Sequence, residues 1–374
     1  MDNAEIIKTF LQKGVLLTPE ALSYLATQEN INAILESKHD KTILTQNDLI
    51  PKQIEIEEPD KFRIIKNLTS KPKEIGTEDF ISFYTSKYEK MKKLLTERLS
   101  KNFVSLNKLD SFRSEVHVIG LVKELKEKNG KKVVELEDLT TTVPILFDDI
   151  GDLELDDVVA VSAISAGKVM FGKKILYPDM PLRQPARGYG KACFISDLHL
   201  EESPTKDIEA FFSWFEKQDL PALFIAGDTG DLTKLEELIN QHCYGKQVFI
   251  IPGNADKQEE YPQLPLEFNN KNIISTSNPS IIEFNGVKIL LIHHAEISML
   301  KKRYLGKSHQ ILPEDFLVLD EIPDIVHCGH THEPFITNYK SVTLVNSGSL
   351  LADFRPVVID LASREAIQIK IPEA

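Results

Sequence analysis

Residues 191–200 read KACFISDLHL: a short apolar run, Ala192 to Ile195, followed at once by Ser196, Asp197 and His199. A run that short, bounded by polar residues, reads as a buried strand. The pattern then recurs. Ala222 to Ala226 runs into Gly227-Asp228-Thr229-Gly230-Asp231, and Val248 to Ile251 into Pro252-Gly253-Asn254-Ala255-Asp256. Val287 to Ile292 runs into His293-His294, and Ile325 to Cys328 into Gly329-His330-Thr331-His332. Val342 to Val345 is a further strand candidate, and helical stretches such as Ile208 to Lys217 and Thr233 to Gln241 intervene. Strands alternating with helices imply α/β layering over residues 190–374. Sheets of that kind place their sites past the C-terminal strand ends. The five polar clusters are therefore expected to meet on one face of one sheet.

Gathered there, the clusters offer Asp197, His199, Asp228, Asn254, His293, His330 and His332. Carboxylates mixed with imidazoles suit Mn²⁺, Fe²⁺ or Zn²⁺ better than ions that take oxygen alone. A carboxylate can bridge two ions, and two ions about 3.5–4 Å apart clamp a phosphoryl group for in-line displacement by water. Gly227, Gly253 and Gly329 beside the ligands let the backbone come close to such a centre. Outside the clusters the same residue types have plainer readings. Trp214 shares an apolar helix face with Phe211, Phe212 and Phe215, and His327, Cys193 and Cys328 lie inside strands; all are expected to pack in the core.

Upstream the period changes. Residues 114–182 hold short β-rich runs, among them EVHVIGLVKEL and KKVVELEDL, split by Asn129-Gly130, a strong hairpin signal. Such strands suit a small barrel of the OB type. It is poor in aromatics (Phe147, Phe171, Tyr177), so a structural or protein-docking role is favoured over base stacking. Residues 77–113 read as a helical connector. From Lys87 to Lys108 it carries seven Lys/Arg against two Glu, by default a solvated face. Residues 49–76, rich in Lys, Glu and Pro, read as a linker. Residues 1–48 read as a small helical module, with Ile6, Ile7, Phe10 and Leu11 on one apolar face. Its second helix is expected to start at Thr18-Pro19-Glu20.

Composition narrows the class. The chain has 374 residues, a net charge of −13 and three scattered cysteines without a CxxC pair. That argues against binding nucleic acid by bulk charge and against a disulfide framework or cysteine zinc site. No apolar run approaches the roughly 18 residues of a membrane span, and MDNAEIIKTF is not a secretory signal. A cytoplasmic protein with no membrane partner is expected. The basic run Lys301-Lys302-Arg303 lies close in sequence to His293-His294 and is a candidate for weak DNA-backbone contact.

SDLHL, GDTGD, GNAD, HH and GHTH together resemble the motif series of calcineurin-like metallophosphoesterases. The match narrows at IPGNADKQEEYPQLPL and across MLKKRYLGKSHQ to VNSGSL, which resemble the small-subunit family of archaeal D-family DNA polymerases. The resemblance is specific over residues 191–350 and loose before 110. It implies an α/β, α+β multidomain chain: a two-layered β-sandwich metallophosphoesterase domain with helices on its faces, an OB-type barrel and a small N-terminal helical module. It also implies a 3′→5′ exonuclease acting on single-stranded DNA 3′ ends, partnered in a heterodimer by the large catalytic subunit that performs synthesis. Carried over by motif, Asp197, His199, Asp228 and His332 would hold one ion. Asp228, Asn254, His293 and His330 would hold the other, with Asp228 as the bridge. The expected ions are two divalent cations, Mn²⁺ first, with Mg²⁺, Fe²⁺ or Zn²⁺ as alternatives. Asp231 would orient ligand side chains. One departure stands out: the family's third motif reads Gly-Asn-His-Asp, and here Ala255 replaces the His, while His294 occupies a usual Gly position. His294 is expected to compensate in part for that lost acid–base help. Two other function classes remain open, a catalytically weakened scaffold subunit and a stand-alone phosphoesterase.

Overall fold

The computed structural model describes residues 3–12, 14–26, 43–45, 62–69, 75–99, 101–109, 114–166, 169–256 and 261–371. The chain divides into two compact units, residues 1–61 and 62–374.

In the first unit, α1 (Asn3–Gln12) and α2 (Pro19–Leu25) accompany a parallel pair, β1 (Leu16–Leu17) with β2 (Ile43–Leu44). Thr18 caps α2 as expected, accepting from the Ala21 N–H at 3.3 Å. Ile6, Phe10, Ala21, Leu25 and Leu44 form its core, but Ile7 and Leu11 are exposed. The rest of the expected 1–48 module lies outside the described residues.

The second unit begins inside the expected 49–76 linker. Phe62–Lys66 forms β3, antiparallel to a strand more than 200 residues away. Its partner is distant in sequence and its own residues, FRIIK, lack a strict two-residue alternation, so no local signal marks it. α3 (Thr77–Leu99) follows. Next come β4 (Ser114–Lys128), β5 (Lys131–Glu137), β6 (Thr142–Phe147), β7 (Val158–Ala166) and β8 (Val169–Leu176), closed into a barrel in the order β4-β5-β6-β8-β7. Asn129 and Gly130, both at positive φ, turn the β4–β5 hairpin as the sequence predicts.

Among the described residues, the remainder builds two six-stranded sheets. The first contains β9 (Lys191–Ile195), β10 (Ala222–Ala226), β11 (Gln247–Ile251) and β12 (Ile273–Ser275), all parallel, with β18 (Val357–Asp360) and β19 (Ala366–Gln368) at its other edge. The second contains β3, β13 (Ser280–Phe284), β14 (Val287–Leu291), β15 (Ile325–Cys328), β16 (Phe335–Tyr339) and β17 (Val342–Asn346). The sheets face each other. Phe194, Phe224 and Phe249 share one register across β9, β10 and β11 and stack at 5.0 and 4.6 Å between ring centroids. They meet Phe284, Ile289 and Leu291 of the opposite sheet. Offset stacks of this kind add about 0.5–1.5 kcal/mol per pair beyond burial. α4 (Thr205–Glu216) and α5 (Leu232–His242) cover the outer face of the first sheet. Phe211, Phe212 and Phe215 anchor α4, and Trp214 packs beside them as expected. The ligand-bearing strands thus divide between two layers, where the sequence alone suggested one sheet. Parallel strands of both layers end at the same edge, and strand pairing is non-local, so periodicity could not separate them.

α6 (Ile297–Lys302) leaves the His293-His294 loop and docks on the barrel. Lys301 Nζ lies 2.8 Å from Asp152 Oδ2 and sits over the Tyr177 ring. Lys302 Nζ lies 2.8 Å from Glu154 Oε2 and 2.9 Å from Asp157 Oδ2. Arg303 is buried and donates to the Leu319 and Asp320 carbonyls. Lys301 and Lys302 thus pair with carboxylates of the barrel, while carbonyls of the sandwich domain hold Arg303. Burying a cation without a partner is costly, and the acidic segment 148–157 supplies partners. The basic run on α3 is likewise engaged by the protein. Lys90 pairs with Glu314 at 2.9 Å, Arg98 with Asp179 at 3.2 Å, and Lys87 lies over the Tyr304 ring.

Candidate metal centre

Five strand exits, from β9, β10, β11, β14 and β15, converge. Their backbone is unusual: Asp197, His199, Asp228, His330 and His332 all have φ between 42° and 71°. Non-glycine residues seldom adopt that left-handed region, and each instance costs of order 1–3 kcal/mol unless its surroundings enforce it. The enforcement is visible. Asp197 N–H donates to the Gly227 carbonyl and His199 N–H to the Asp228 carbonyl, both at 3.0 Å. A side chain could not replace hydrogen at Gly253 or Gly329. A Cβ there would lie 2.2 Å from Asp228 Oδ1 and 2.3 Å from Asp197 Oδ2, respectively.

Two groups of ligand atoms result, each with its members within 4.8 Å of one another: Asp197, His199 and His332, and Asp197, Asp228 and His293. His199 Nε2 faces His332 Nε2 at 3.2 Å, and His332 Nε2 lies 3.4 Å from Asp197 Oδ1. His293 Nε2 lies 3.2 Å from Asp228 Oδ2. Asp197 is the carboxylate common to both groups, whereas the family resemblance implied Asp228 as the bridge. The remaining expected ligands adjoin the groups on the solvent side. Asn254 Nδ2 is 3.2 Å from His330 Nδ1, and the His330 ring stands 5.3 Å from that of His293. His294 is at the rim, its ring 5.0 Å from His330 and its Nε2 3.4 Å from Glu296 Oε1.

The donor set fits divalent cations. His293 Nδ1 is 2.7 Å from the Ala226 carbonyl, which can only accept, so Nδ1 carries the proton. That aims Nε2 at the cleft, where it is buried without a hydrogen-bond partner. Burial would lower the His293 pKa, but the Asp228 and Asp197 carboxylates outweigh it and hold it above its ordinary value. Burial would raise Asp228, yet His293 and the Ala255 N–H bring it down to about 2. Asp197, fully buried, is raised by desolvation despite His293 nearby. Two buried carboxylates against imidazoles are a charge arrangement that a divalent ion completes.

Asp231 ends the GDTGD loop at the start of α5. Its carboxylate accepts from the Lys234 N–H at 3.0 Å and caps α5. The residue that ties ligand loops together is Asp256. Its Oδ1 accepts from Thr229 N, Thr229 Oγ1 and Gly230 N at 2.7–3.0 Å, and its Oδ2 from Gly253 N at 2.8 Å. Ala255 contributes through its backbone, donating to Asp228 Oδ1 at 2.8 Å. Asn346, Ser347 and Ser349 at the β17 exit were also overlooked. Asn346 Nδ2 holds the Gly329 carbonyl, Ser347 Oγ accepts from Ser196 N, and Ser349 Oγ donates to the Asp197 carbonyl. Their signal was present, a polar cluster ending a sixth apolar run. His327 is buried against Phe194 and is no ligand. Burial lowers it to about 3, so it stays neutral.

Residues 191–360 match the calcineurin-like phosphoesterase superfamily domain. That match spans just under half of the chain. The resemblance also extends beyond it. The chain is 26% identical to the DNA polymerase II small subunit of Archaeoglobus fulgidus, over 77% of this chain and 73% of that one. It is 24% identical to the DNA polymerase II small subunit of Methanothermobacter thermautotrophicus, over 92% of each chain. A solved archaeal phosphodiesterase aligns with 48% of this chain and 99% of its own, at 17% identity and a TM-score of 0.36. The phosphoesterase domain holds every expected ligand residue, and the resemblance to archaeal polymerase small subunits covers the barrel as well. Among the described residues no helix is long and apolar enough to cross a membrane.

Proposed function

We propose that this chain is the small subunit of an archaeal D-family DNA polymerase. Its phosphoesterase domain would be a metal-dependent 3′→5′ exodeoxyribonuclease that trims single-stranded DNA 3′ ends in the cytoplasm. Synthesis belongs to the large catalytic subunit, its partner in a heterodimer. The barrel is read as OB type from its strand order. One observation carries the enzymatic reading: Asp197, His199, Asp228, His293 and His332, separated by up to 135 residues, meet in one cleft.

Two divalent ions, Mn²⁺ foremost, supply when bound the charge that holds the scissile phosphate and activates water. The protein's own residues set the geometry. Asp228 stays ionised across the physiological range, and the Ala226 carbonyl keeps His293 in the ligating tautomer. Asn254 and His330, on the open side, would complete the ligands of the second ion. His294, steadied by Glu296, is assigned the proton-handling position that Ala255 cannot fill. Ala255 is also the observation that favours a second reading, a scaffold subunit with residual metal binding. Incubating the purified chain with Mn²⁺ and a 5′-labelled single strand separates the two. A ladder of shortened products that Asp228→Ala abolishes supports the nuclease. No ladder, with or without the large subunit, selects the scaffold.

A further inference from the structure

Two buried amides, neither of them an expected ligand, connect ligand loops across the cleft. Gln263 and Asn278 are 4% and 3% exposed. Their backbones form a mutual bridge: Gln263 N donates to Asn278 O at 2.8 Å, and Asn278 N to Gln263 O at 3.0 Å. Their side chains form a directional relay on top of it. The His293 N–H donates to Asn278 Oδ1 at 3.1 Å, Asn278 Nδ2 to Gln263 Oε1 at 2.8 Å, and Gln263 Nε2 to the Gly253 carbonyl at 3.1 Å. Only one orientation of each amide satisfies all three bonds, because an N–H starts the chain and a carbonyl ends it.

We propose that Gln263 and Asn278 are positioning residues that fix the distance between the Gly253-Asn254 turn and His293, and thereby the affinity for one ion of the pair. The proposal rests on the two-ion reading above. The relay's three bonds end on the loops of His293 and Asn254, and none of the three involves Asp197, His199 or His332. Its loss therefore weakens the ion on the Asp228–His293 side and spares the other. Groups that orient metal ligands typically govern about 10–100-fold in affinity.

The test is a Mn²⁺ titration of the full chain by calorimetry, comparing wild type with Gln263→Met and Asn278→Leu. Electron paramagnetic resonance follows the spin-coupled pair, and metal-free melting checks folding. The expected result is one event weakened about 10–100-fold, the other unchanged within about twofold, and a diminished coupled signal. If Asn278→Leu fails to fold, Gln263→Met still decides, because the backbone bridge does not need its side chain. Two unchanged events, or two equally weakened, overturn the proposal. A wild-type chain that takes up fewer than two ions overturns the two-ion reading itself.

Discussion

The metal centre and the barrel joint are built from the same kinds of residue and solve opposite problems. At the joint, Lys301 and Lys302 each close on acidic partners between 2.8 and 2.9 Å away, so each cation is matched within the chain. In the cleft, Asp197 and Asp228 are buried beside imidazoles and backbone N–H groups, on backbone held at positive φ. A joint balanced internally is made for stability, and a cleft left negative is made for a cation. The difference also separates what strains the fold from what holds it.

The largest effect should come from Asp228→Ala. Removing a ligand that supports the several kcal/mol of transition-state stabilisation an ion supplies should lower the exonuclease rate by at least about 10³-fold, read from the rate of product-ladder formation. The joint should respond in stability instead. Lys302→Met leaves Asp157 beneath a lost cation, and urea unfolding should show a loss of about 2–4 kcal/mol. Its single-stranded DNA affinity should match wild type, whereas a marked loss would support the DNA-contact reading of this run. The cleft should show the inverse. Asp197→Asn relieves a buried carboxylate while its oxygen can still accept from His330 N–H, so the metal-free protein should melt higher by about 1 kcal/mol of stability even as metal binding collapses. A lower melting point would mean that the cleft is internally balanced after all.

The smallest effect is a pH dependence. His293 has a folded pKa above its unfolded value. Its proton therefore contributes stability below roughly pH 6.5, and that contribution is lost as pH rises through the folded pKa. Mn²⁺ competes with this proton, so the melting-point increment from Mn²⁺ should grow between about pH 6 and pH 8. A flat increment would remove His293 from the ligand set.

The same contrast explains what could be read from the sequence. Strand exits were legible because a short apolar run ending in Asp, His or Gly marks both the strand and its chemistry locally. The division of those strands between two sheets was not, because pairing such as β3 with β13 spans most of the chain. The pairing of Lys301 and Lys302 was not legible, because their acidic partners lie about 150 residues upstream. Nothing local in the sequence marks the roles of Asp256, Gln263 and Asn278. A hydrogen-bond hub has no periodicity, and its value appears only when the loops it joins are placed side by side.

The central claim is a pair of cations caged by residues from two sheets. A crystal of the full chain grown with Mn²⁺, measured at the manganese absorption edge, tests it most directly. The account predicts two anomalous peaks in the cleft between Asp197, His199, Asp228, His293 and His332. Peaks absent from that cleft, or found only among the carboxylates of the barrel joint, would contradict it.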